Sequence, residues 1–221
     1  GAAHGGRISP SVICLHDTAG RLDHGQTAKW MAGKPRGTPS YHVVIERDGS
    51  WHQLVPFDLR ANHAGRSEWK GRKHVNAFSI GISFVSPGRL TRKGKRAKSW
   101  FGEAYDGAVA APSHRHRAGH WLPYTPEQIE TAARLCRALV KEYPSIKDVV
   151  THWQVAPRRK EDVSPLFPLE EFRQSVFATE PTAAEDALPR NSETSDDLVA
   201  AHARTLREGD TGALVGRAQL L

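Results

Sequence analysis

The chain contains 221 residues, of which 38% are hydrophobic and 25% are charged, and its formal net charge is +7. This composition is typical of a soluble globular protein with one main core. No apolar run approaches the roughly 20 residues that span a bilayer, and the first ten residues lack the apolar stretch of a signal peptide. We therefore expect no membrane insertion and no export signal in this sequence.

Positive charge is concentrated in the first part of the chain. Residues 178–197 hold six acidic residues against one arginine and almost nothing to bury, which predicts an acidic flexible linker. Residues 198–221 regain apolar periodicity but are too short to form a core alone. Residues 1–177, which together carry the excess of positive charge, form the predicted domain. We expect this domain to be a monomer. Its charge favours a polyanionic partner: nucleic acid, an anionic membrane surface or bacterial cell wall.

The two cysteines occupy apolar positions. Cys14 lies in the run "SVICLH" and Cys136 lies in a helical pattern. Both are predicted to be buried free thiols, and no disulfide is inferred from them.

Two strand-forming stretches come early in the chain. The apolar run at 11–16 predicts a buried strand with His16 at its C-terminal end. The stretch "YHVVIERDGSWHQLV" (41–55) predicts a hairpin that turns at Asp48-Gly49. Tyr41 is expected on the same face of the first hairpin strand as Val43 and Ile45, with His42 on the opposite face.

A further strand is predicted in "NAFSIGISFVS" (76–86). Its large apolar residues are expected on one face and its small residues on the other, so that another group can approach the small face. The large residues are Phe78, Ile80, Ile82 and Phe84, and the small ones are Ser79, Gly81 and Ser83. Residues 89–120 are rich in Arg, Lys, His and Gly without periodicity, which predicts a long surface loop or insertion.

Three helices are expected. A short one is predicted at 26–33, and the strongest at 125–144, where Thr125 can cap the helix and Gln128 completes a capping box. A closing helix is predicted at 169–177. Together with a short strand at 148–150, this order favours an α/β domain built around one central sheet.

The stretch "THWQVAPRRKEDVSP" (151–165) is interpreted as a loop, because its prolines and charges are too irregular for a helix. His16 and His152 each follow an apolar strand, and their imidazoles meet if those strands are neighbours. Asp162 can then complete a set of two histidines and one carboxylate, which is the ligand inventory of a catalytic zinc site. Twelve histidines allow many such triples, so hydrogen-bonded or solvated imidazoles remain the alternative for each one.

Two weaker signals carry alternative interpretations. The stretch "SHRHRAGH" holds His114, His116 and His120, which are either a second metal site or, as we favour, solvated side chains. The run "RLTRKGKRAKSW" (89–100) is strongly basic, but it has few stacking aromatics and no nucleic-acid motif accompanies it. We therefore do not expect a nucleic-acid partner.

Five segments that occur in this order along the chain are similar to the motifs of a known family: "ICLHDTAG", "SYHVVIERDGSWHQLVP", "ANHAG", "NAFSIGISFV" and "THWQVAPRRKEDVSP". Together they resemble the zinc amidases that cleave N-acetylmuramoyl-L-alanine bonds. That family includes phage lysis amidases, muropeptide-recycling amidases and animal peptidoglycan-recognition proteins. The resemblance covers about residues 8–175 and implies a mixed central β-sheet flanked by helices, a Zn²⁺ cofactor, and peptidoglycan or muropeptides as partner.

The resemblance also implies roles for individual residues. The implied zinc ligands are His16, His152 and Asp162. Lys160 and Tyr41 are the implied catalytic donors to a developing oxyanion, the alternatives being a surface lysine and a tyrosine at the core edge. The segments that resemble the substrate groove contribute two implied substrate-binding residues, His63 and Asn76.

The chain departs from the family pattern at two places. Recycling members usually carry a glutamate where this chain has Ser83, so the combination of Tyr41 and Ser83 favours the phage and recognition-protein branch. The family commonly has Pro-Gly after the third ligand, whereas Val163-Ser164 follow Asp162 here.

The hypothesis with most support is a zinc-dependent N-acetylmuramoyl-L-alanine amidase that acts on the cell wall, in the periplasm or outside the cell. The alternative is a peptidoglycan-recognition module that binds without cleaving. The tail "LREGDTGALVGRAQLL" resembles the start of a helical peptidoglycan-binding module.

Overall fold

A computed structural model of the chain describes residues 4–35, 37–94, 96–111 and 113–178. The predicted linker, apart from Ala178, and the predicted C-terminal module lie outside the described residues. The helices are α1 Gln26–Ala32, α2 Pro126–Glu142, α3 His152–Val155 and α4 Leu169–Phe177, with a single 3-10 turn at Val75–Ala77. The strands are β1 His4–Arg7, β2 Val12–Asp17, β3 Val43–Ile45, β4 Trp51–Gln53, β5 Leu59–Ala61, β6 Glu68–Trp69, β7 Arg72–Lys73, β8 Ser79–Phe84, β9 Thr91–Lys93, β10 Arg96–Lys98, β11 Ala104–Tyr105, β12 Val109–Ala110, β13 His120–Trp121 and β14 Asp148–Thr151.

The central sheet has five strands in the order β14-β2-β8-β3-β4. The first four of these strands run parallel, and β4 pairs antiparallel with β3. This mixed sheet with helices confirms the predicted fold class. Because parallel strands end at the same edge of a sheet, the adjacent carboxyl ends of β2 and β14 bring His16 and the residue after Thr151 together.

Apolar side chains cover both faces of the sheet. Ile80, Ile82 and Phe84 of β8 pack in the main core with α2 and α4, whereas Cys14 of β2 belongs to a smaller cluster on the other side. The predicted alternation along β8 is therefore confirmed within the strand. Phe78 is an exception to that prediction, because it precedes the strand and belongs to the smaller cluster.

Helix α2 begins as its sequence predicts. The Thr125 side chain accepts a hydrogen bond from the backbone N–H of Gln128, and the Gln128 side chain accepts one from the backbone N–H of Thr125. Thr125 also donates to the carbonyl of Arg47 at 2.7 Å, which ties the helix to the hairpin. The cap thus stabilises both α2 and its contact with the sheet.

Replacing Thr125 by alanine is expected to lower the free energy of unfolding by about 1 to 2 kcal/mol, because a capping bond and a tertiary bond are lost together. Urea unfolding followed by circular dichroism measures the change. The exposed Thr91 of β9 provides the control, and a Thr125→Ala protein as stable as Thr91→Ala would contradict the expectation.

Residues 89–120 differ from the predicted loop. They contain a three-stranded sheet in the order β11-β10-β9 and a separate pair of strands, β12 and β13. The strands are only two or three residues long, so they have no hydrophobic periodicity for sequence analysis to detect. The segment therefore has its own secondary structure, and the prediction of a long loop is wrong in this respect.

Two further local predictions need correction. His152 begins the short helix α3, although this stretch was expected to be too irregular for a helix; a single turn ends before Pro157 can interfere. Tyr41 precedes β3 and is not part of the strand. The hairpin itself is confirmed, and its turn requires Gly49, which has a φ of 83°.

Both cysteines are buried free thiols, as predicted. Among the helices of the described residues, none combines the length and the apolar character that crossing a bilayer requires.

Candidate functional site

Three side chains that were predicted from distant parts of the sequence converge at the carboxyl ends of β2 and β14. The Nδ1 atoms of His16 and His152 lie 3.0 Å apart. Asp162 Oδ2 lies 3.2 Å from His16 Nδ1 and 2.9 Å from His152 Nδ1. Ligand atoms that surround a tetrahedral metal at about 2.0 to 2.2 Å lie about 3.3 to 3.6 Å from one another, so these separations are close to those of a metal site.

The hydrogen on His152 is fixed by a backbone carbonyl. His152 Nε2 lies 3.2 Å from the carbonyl oxygen of Ala64. A carbonyl oxygen only accepts hydrogen bonds, so Nε2 carries the hydrogen. In the neutral ring, the lone pair of Nδ1 therefore points toward His16 and Asp162.

A longer chain of hydrogen bonds fixes the tautomer of His16. Ser79 donates its hydroxyl to the carbonyl of Val75 at 2.7 Å, so its oxygen accepts from His63 Nε2 at 3.2 Å. His63 Nδ1 then has a lone pair, and it accepts from His16 Nε2 at 2.9 Å. His16 Nδ1 is left with its lone pair facing His152 and Asp162.

The charges agree with this assignment. Burial, together with the neighbouring His152 and Lys160, outweighs the opposing effect of Asp162 and lowers the pKa of His16 to about 4, so the ring is neutral at pH 7. Burial opposes ionisation of Asp162, but the adjacent imidazoles outweigh it and hold the pKa of Asp162 below its ordinary value. The side chain is a carboxylate at neutral pH.

When both imidazoles are neutral, three electron-pair donors therefore face one another. This arrangement is unfavourable alone and favourable around a cation, which needs neutral imidazoles and an ionised carboxylate as ligands. The donor set of two imidazole nitrogens and one carboxylate oxygen therefore fits a metal ion such as zinc.

Cys14 forms a second group with two of these histidines. Its sulfur lies within 4.8 Å of the ligand atoms of His16 and His63. The short contact in this group, between His16 Nε2 and His63 Nδ1, is a hydrogen bond of 2.9 Å. Burial raises the pKa of the Cys14 thiol, so the group that metals prefer, the thiolate, is disfavoured here.

Tyr41 and Lys160 both lie near the three donors. The Tyr41 ring centroid is 5.3 Å from that of His16. Burial raises the pKa of Tyr41, so its phenol keeps its proton at neutral pH and can donate a hydrogen bond. Lys160 is half-buried, and its charge acts on His16.

His63 and Asn76, the two predicted substrate-binding residues, lie in different surroundings. His63 is buried behind His16, and both of its ring nitrogens are engaged by His16 and Ser79. This geometry argues against the predicted substrate contact and favours a role in orienting His16. Asn76 accepts a hydrogen bond from the N–H of Ala64 at 2.7 Å, and it also lines a cavity of about 190 Å³.

Two small residues of β8, Gly81 and Ser83, explain how the site is packed. A Cβ atom at Gly81 would lie 2.5 Å from His63 Cγ, so the small face of the strand admits the imidazole, as predicted. Ser83 pairs in register with His16 and is fully buried. Within the central sheet, β8 therefore presents no carboxylate beside His16.

Sequence analysis missed several supporting residues. Arg159 donates to the carbonyl oxygens of Ala64 and Arg66, at 2.6 and 3.0 Å. It therefore fixes the same carbonyl that orients His152. No local pattern marks this arginine, because its partners lie more than ninety positions away. His116, predicted to be solvated, is also buried, and its Nε2 lies 2.9 Å from the carbonyl oxygen of Val163.

Comparison with known proteins places this site in a family. A profile described as N-acetylmuramoyl-L-alanine amidase matches residues 6–165. The 1,6-anhydro-N-acetylmuramyl-L-alanine amidase AmpD of Salmonella typhimurium is 35% identical over 138 residues, which are 62% of this chain and 57% of that protein. The N-acetylmuramoyl-L-alanine amidase AmiD of Escherichia coli is 30% identical over 132 residues, which are 59% of this chain and 40% of that protein. The match thus spans less than two thirds of these relatives.

Solved structures show the same fold. A complex of E. coli AmiD with anhydro-N-acetylmuramic acid-L-Ala-D-gamma-Glu-L-Lys has a TM-score of 0.57 and 26% identity, and the match covers 90% of this chain and 72% of that one. A selenomethionine AmpD structure has a TM-score of 0.55 and 26% identity, and the match covers 79% of this chain and 92% of that one.

The branch prediction finds no support in these comparisons. The curated relatives are AmpD and AmiD proteins, whereas a clostridial endolysin structure is only 21% identical and shares the fold alone. The branch that Tyr41 and Ser83 favour therefore stays a prediction. With a profile match over residues 6–165 and the same fold, the chain belongs to the N-acetylmuramoyl-L-alanine amidase family.

Proposed function

We propose that the chain is a zinc hydrolase that cleaves the amide between N-acetylmuramic acid and L-alanine in peptidoglycan or in the muropeptides released from it. The observation that carries the proposal is the convergence of three electron-pair donors from His16, His152 and Asp162. Two relatives support the substrate class, since AmiD and a Pseudomonas aeruginosa relative have been solved with anhydromuramyl peptides.

The proposed ligands leave a coordination place free. His16 Nδ1, His152 Nδ1 and Asp162 Oδ2 are three donors, and catalytic zinc sites combine three protein ligands with one open position. Bound zinc would supply Lewis acidity, which activates water and polarises a carbonyl group at neutral pH. The protein contributes the fixed tautomers of both histidines through Ala64 and His63.

Tyr41 and Lys160 are the proposed donors to the oxyanion that develops when the amide carbonyl is attacked. The phenol of Tyr41 remains protonated because burial raises its pKa, and the ammonium of Lys160 adds positive charge beside His16. Removing one such donor typically costs about 10² to 10³ in rate.

The cavity next to Asn76 is the proposed place for part of the stem peptide. It is polar and has a volume of about 190 Å³. Its lining consists of Arg60, Asn62, Gly65, His74, Asn76 and Ala77. A guanidinium with neighbouring amides suits the carboxylates of a stem peptide, because charge-assisted hydrogen bonds to carboxylates are strong.

A cleavage assay with chelation tests the proposal. The purified protein is incubated with a muropeptide, and the released free peptide is quantified before chelation, after chelation and after zinc is restored. We expect release that stops on chelation and returns with zinc. Binding of the muropeptide without cleavage in all three states would favour the recognition-module alternative.

Replacing His63 by alanine is expected to weaken zinc binding by about 10- to 100-fold, because outer-shell partners of metal ligands have effects of this size. Competition with a chromogenic chelator measures the zinc affinity. His24→Ala is the control, since it removes an exposed imidazole that pairs with Asp48. Equal zinc affinities of the two variants would contradict the orienting role of His63.

A further inference from the structure

We propose that the segment 89–124 positions the third metal ligand, by holding the loop 161–164 that carries Asp162. His116, Arg117 and Tyr124 are the positioning residues. The inference rests on the proposed function, because it assumes that Asp162 binds the metal. It goes further by giving the segment, which includes the 89–120 insertion, a role in the chemistry.

His116 holds the backbone directly after Asp162. Its Nε2 donates to the carbonyl oxygen of Val163 at 2.9 Å. Its Nδ1 lies 3.0 Å from the hydroxyl of Ser113, which is suited to donate to it. The rings of Trp121 and Trp153 pack edge-on against the imidazole, each with its centroid 6.0 Å away. The imidazole is therefore fixed at both nitrogens and on its sides.

The residue before Asp162 is held by charge. Glu161 forms a close ion pair with Arg117, and Arg89 lies 3.7 Å from its other carboxylate oxygen. Both arginines belong to the segment 89–124. Glu161 is thus engaged by these cations, while its neighbour Asp162 contacts His16 and His152.

Tyr124 connects the loop to the strand that presents His16. Its hydroxyl donates to Asp17 Oδ1 at 2.7 Å and accepts from the N–H of Ser164 at 3.0 Å. Asp17 directly follows His16 at the end of β2. One phenol thus joins the strand of the first ligand to the loop of the third ligand.

These contacts matter because a loop ligand must be ordered before it can bind an ion. Ordering a free loop on binding reduces affinity, and contacts that hold the bound geometry in advance remove that cost. Residues 161, 163 and 164 are each held from the segment 89–124. We therefore expect the segment to raise metal affinity without touching the metal.

Zinc affinity of the full chain, measured by chelator competition, tests the inference together with thermal unfolding of the metal-free protein. His116→Ala is expected to weaken zinc binding by about 10- to 100-fold. His116→Gln should recover most of this loss, because its amide can donate to the Val163 carbonyl. Arg117→Ala removes an exposed ion pair and is expected to lower zinc affinity by roughly two- to fivefold. Arg96→Ala should change nothing, since Arg96 pairs with the exposed Asp106.

A double variant separates positioning from general stability. If His116 acts through Asp162, adding His116→Ala to Asp162→Ala should lower the residual zinc affinity by less than about twofold. A His116→Ala protein that loses thermal stability but keeps wild-type zinc affinity would overturn the inference alone. A full effect of His116→Ala in the Asp162→Ala background would do the same. Zinc affinity that is unchanged by Asp162→Ala would instead overturn the proposed function, and this inference with it.

Discussion

An Asp162→Ala protein is expected to lose at least 100-fold in zinc affinity and to release no measurable stem peptide. Losing an outer-shell partner of a metal site typically lowers metal affinity by about 10- to 100-fold, and losing a direct ligand lowers it more. Asp162 is also the only one of the three proposed ligands that carries a negative charge, so its removal takes away the strongest attraction for a divalent cation. Chelator competition and the peptide-release assay measure the two effects.

The fold is expected to survive this change. Asp162 lies outside the helices and strands and its side chain is 20% exposed, so the change to alanine does not require the core to repack. Asp106→Asn is the matched control, because this acid is exposed and pairs with Arg96. An Asp162→Ala protein that binds zinc as tightly as the Asp106→Asn protein would contradict the proposed ligand set.

A Gly81→Ala protein is expected to be less stable by about 1 to 3 kcal/mol, the usual cost of overfilling a packed site. The added Cβ would lie 2.5 Å from Cγ and 2.8 Å from Nδ1 of His63. The strand cannot move away easily, because both the N–H and the C=O of Gly81 are bonded to His42. His63 must therefore shift, and its hydrogen bond to His16 is disturbed.

Urea unfolding and chelator competition together test this expectation, because both stability and zinc affinity should fall. Gly6→Ala is the control, since Gly6 lies in the exposed strand β1 and a Cβ there meets nothing within 4 Å. A Gly81→Ala protein with the stability and zinc affinity of Gly6→Ala would show that His63 does not need the space.

Local sequence was sufficient for most elements of the domain. Helix α2 is predicted by its cap and its periodicity, and β8 by its alternation, because both signals lie within a few neighbouring residues. The two-residue and three-residue strands of the insertion have no such signal. Their formation depends on pairing with each other, which local patterns do not encode.

The sequence predicted three residues that the structure brings together, but the residues that hold them in place were missed. His16 and His152 follow apolar strands, and the resemblance of the surrounding motifs singles them out with Asp162. The roles of His63 and His116 depend on contacts with Ser79, Val163 and other residues that are distant in sequence or placed by backbone geometry. A backbone carbonyl is present in every residue type. A side chain that bonds to one therefore does not require a particular residue as its partner, and such a pair cannot be recognised from the sequence.

Two layers of contacts support the proposed function. The inner layer, through Ala64 and His63, sets which nitrogen of each imidazole is free. The outer layer, through His116 and Tyr124, bonds to the loop that carries Asp162, the proposed third ligand. A preorganised site of this kind would bind a metal without first ordering a loop.

Anomalous diffraction at the zinc absorption edge, from crystals grown with zinc, tests the central claim most directly. We expect a single strong peak within bonding distance of His16 Nδ1, His152 Nδ1 and Asp162 Oδ2. A peak on the other side of His16, between Cys14, His16 Nε2 and His63 Nδ1, or no peak near these histidines at all, would contradict the account.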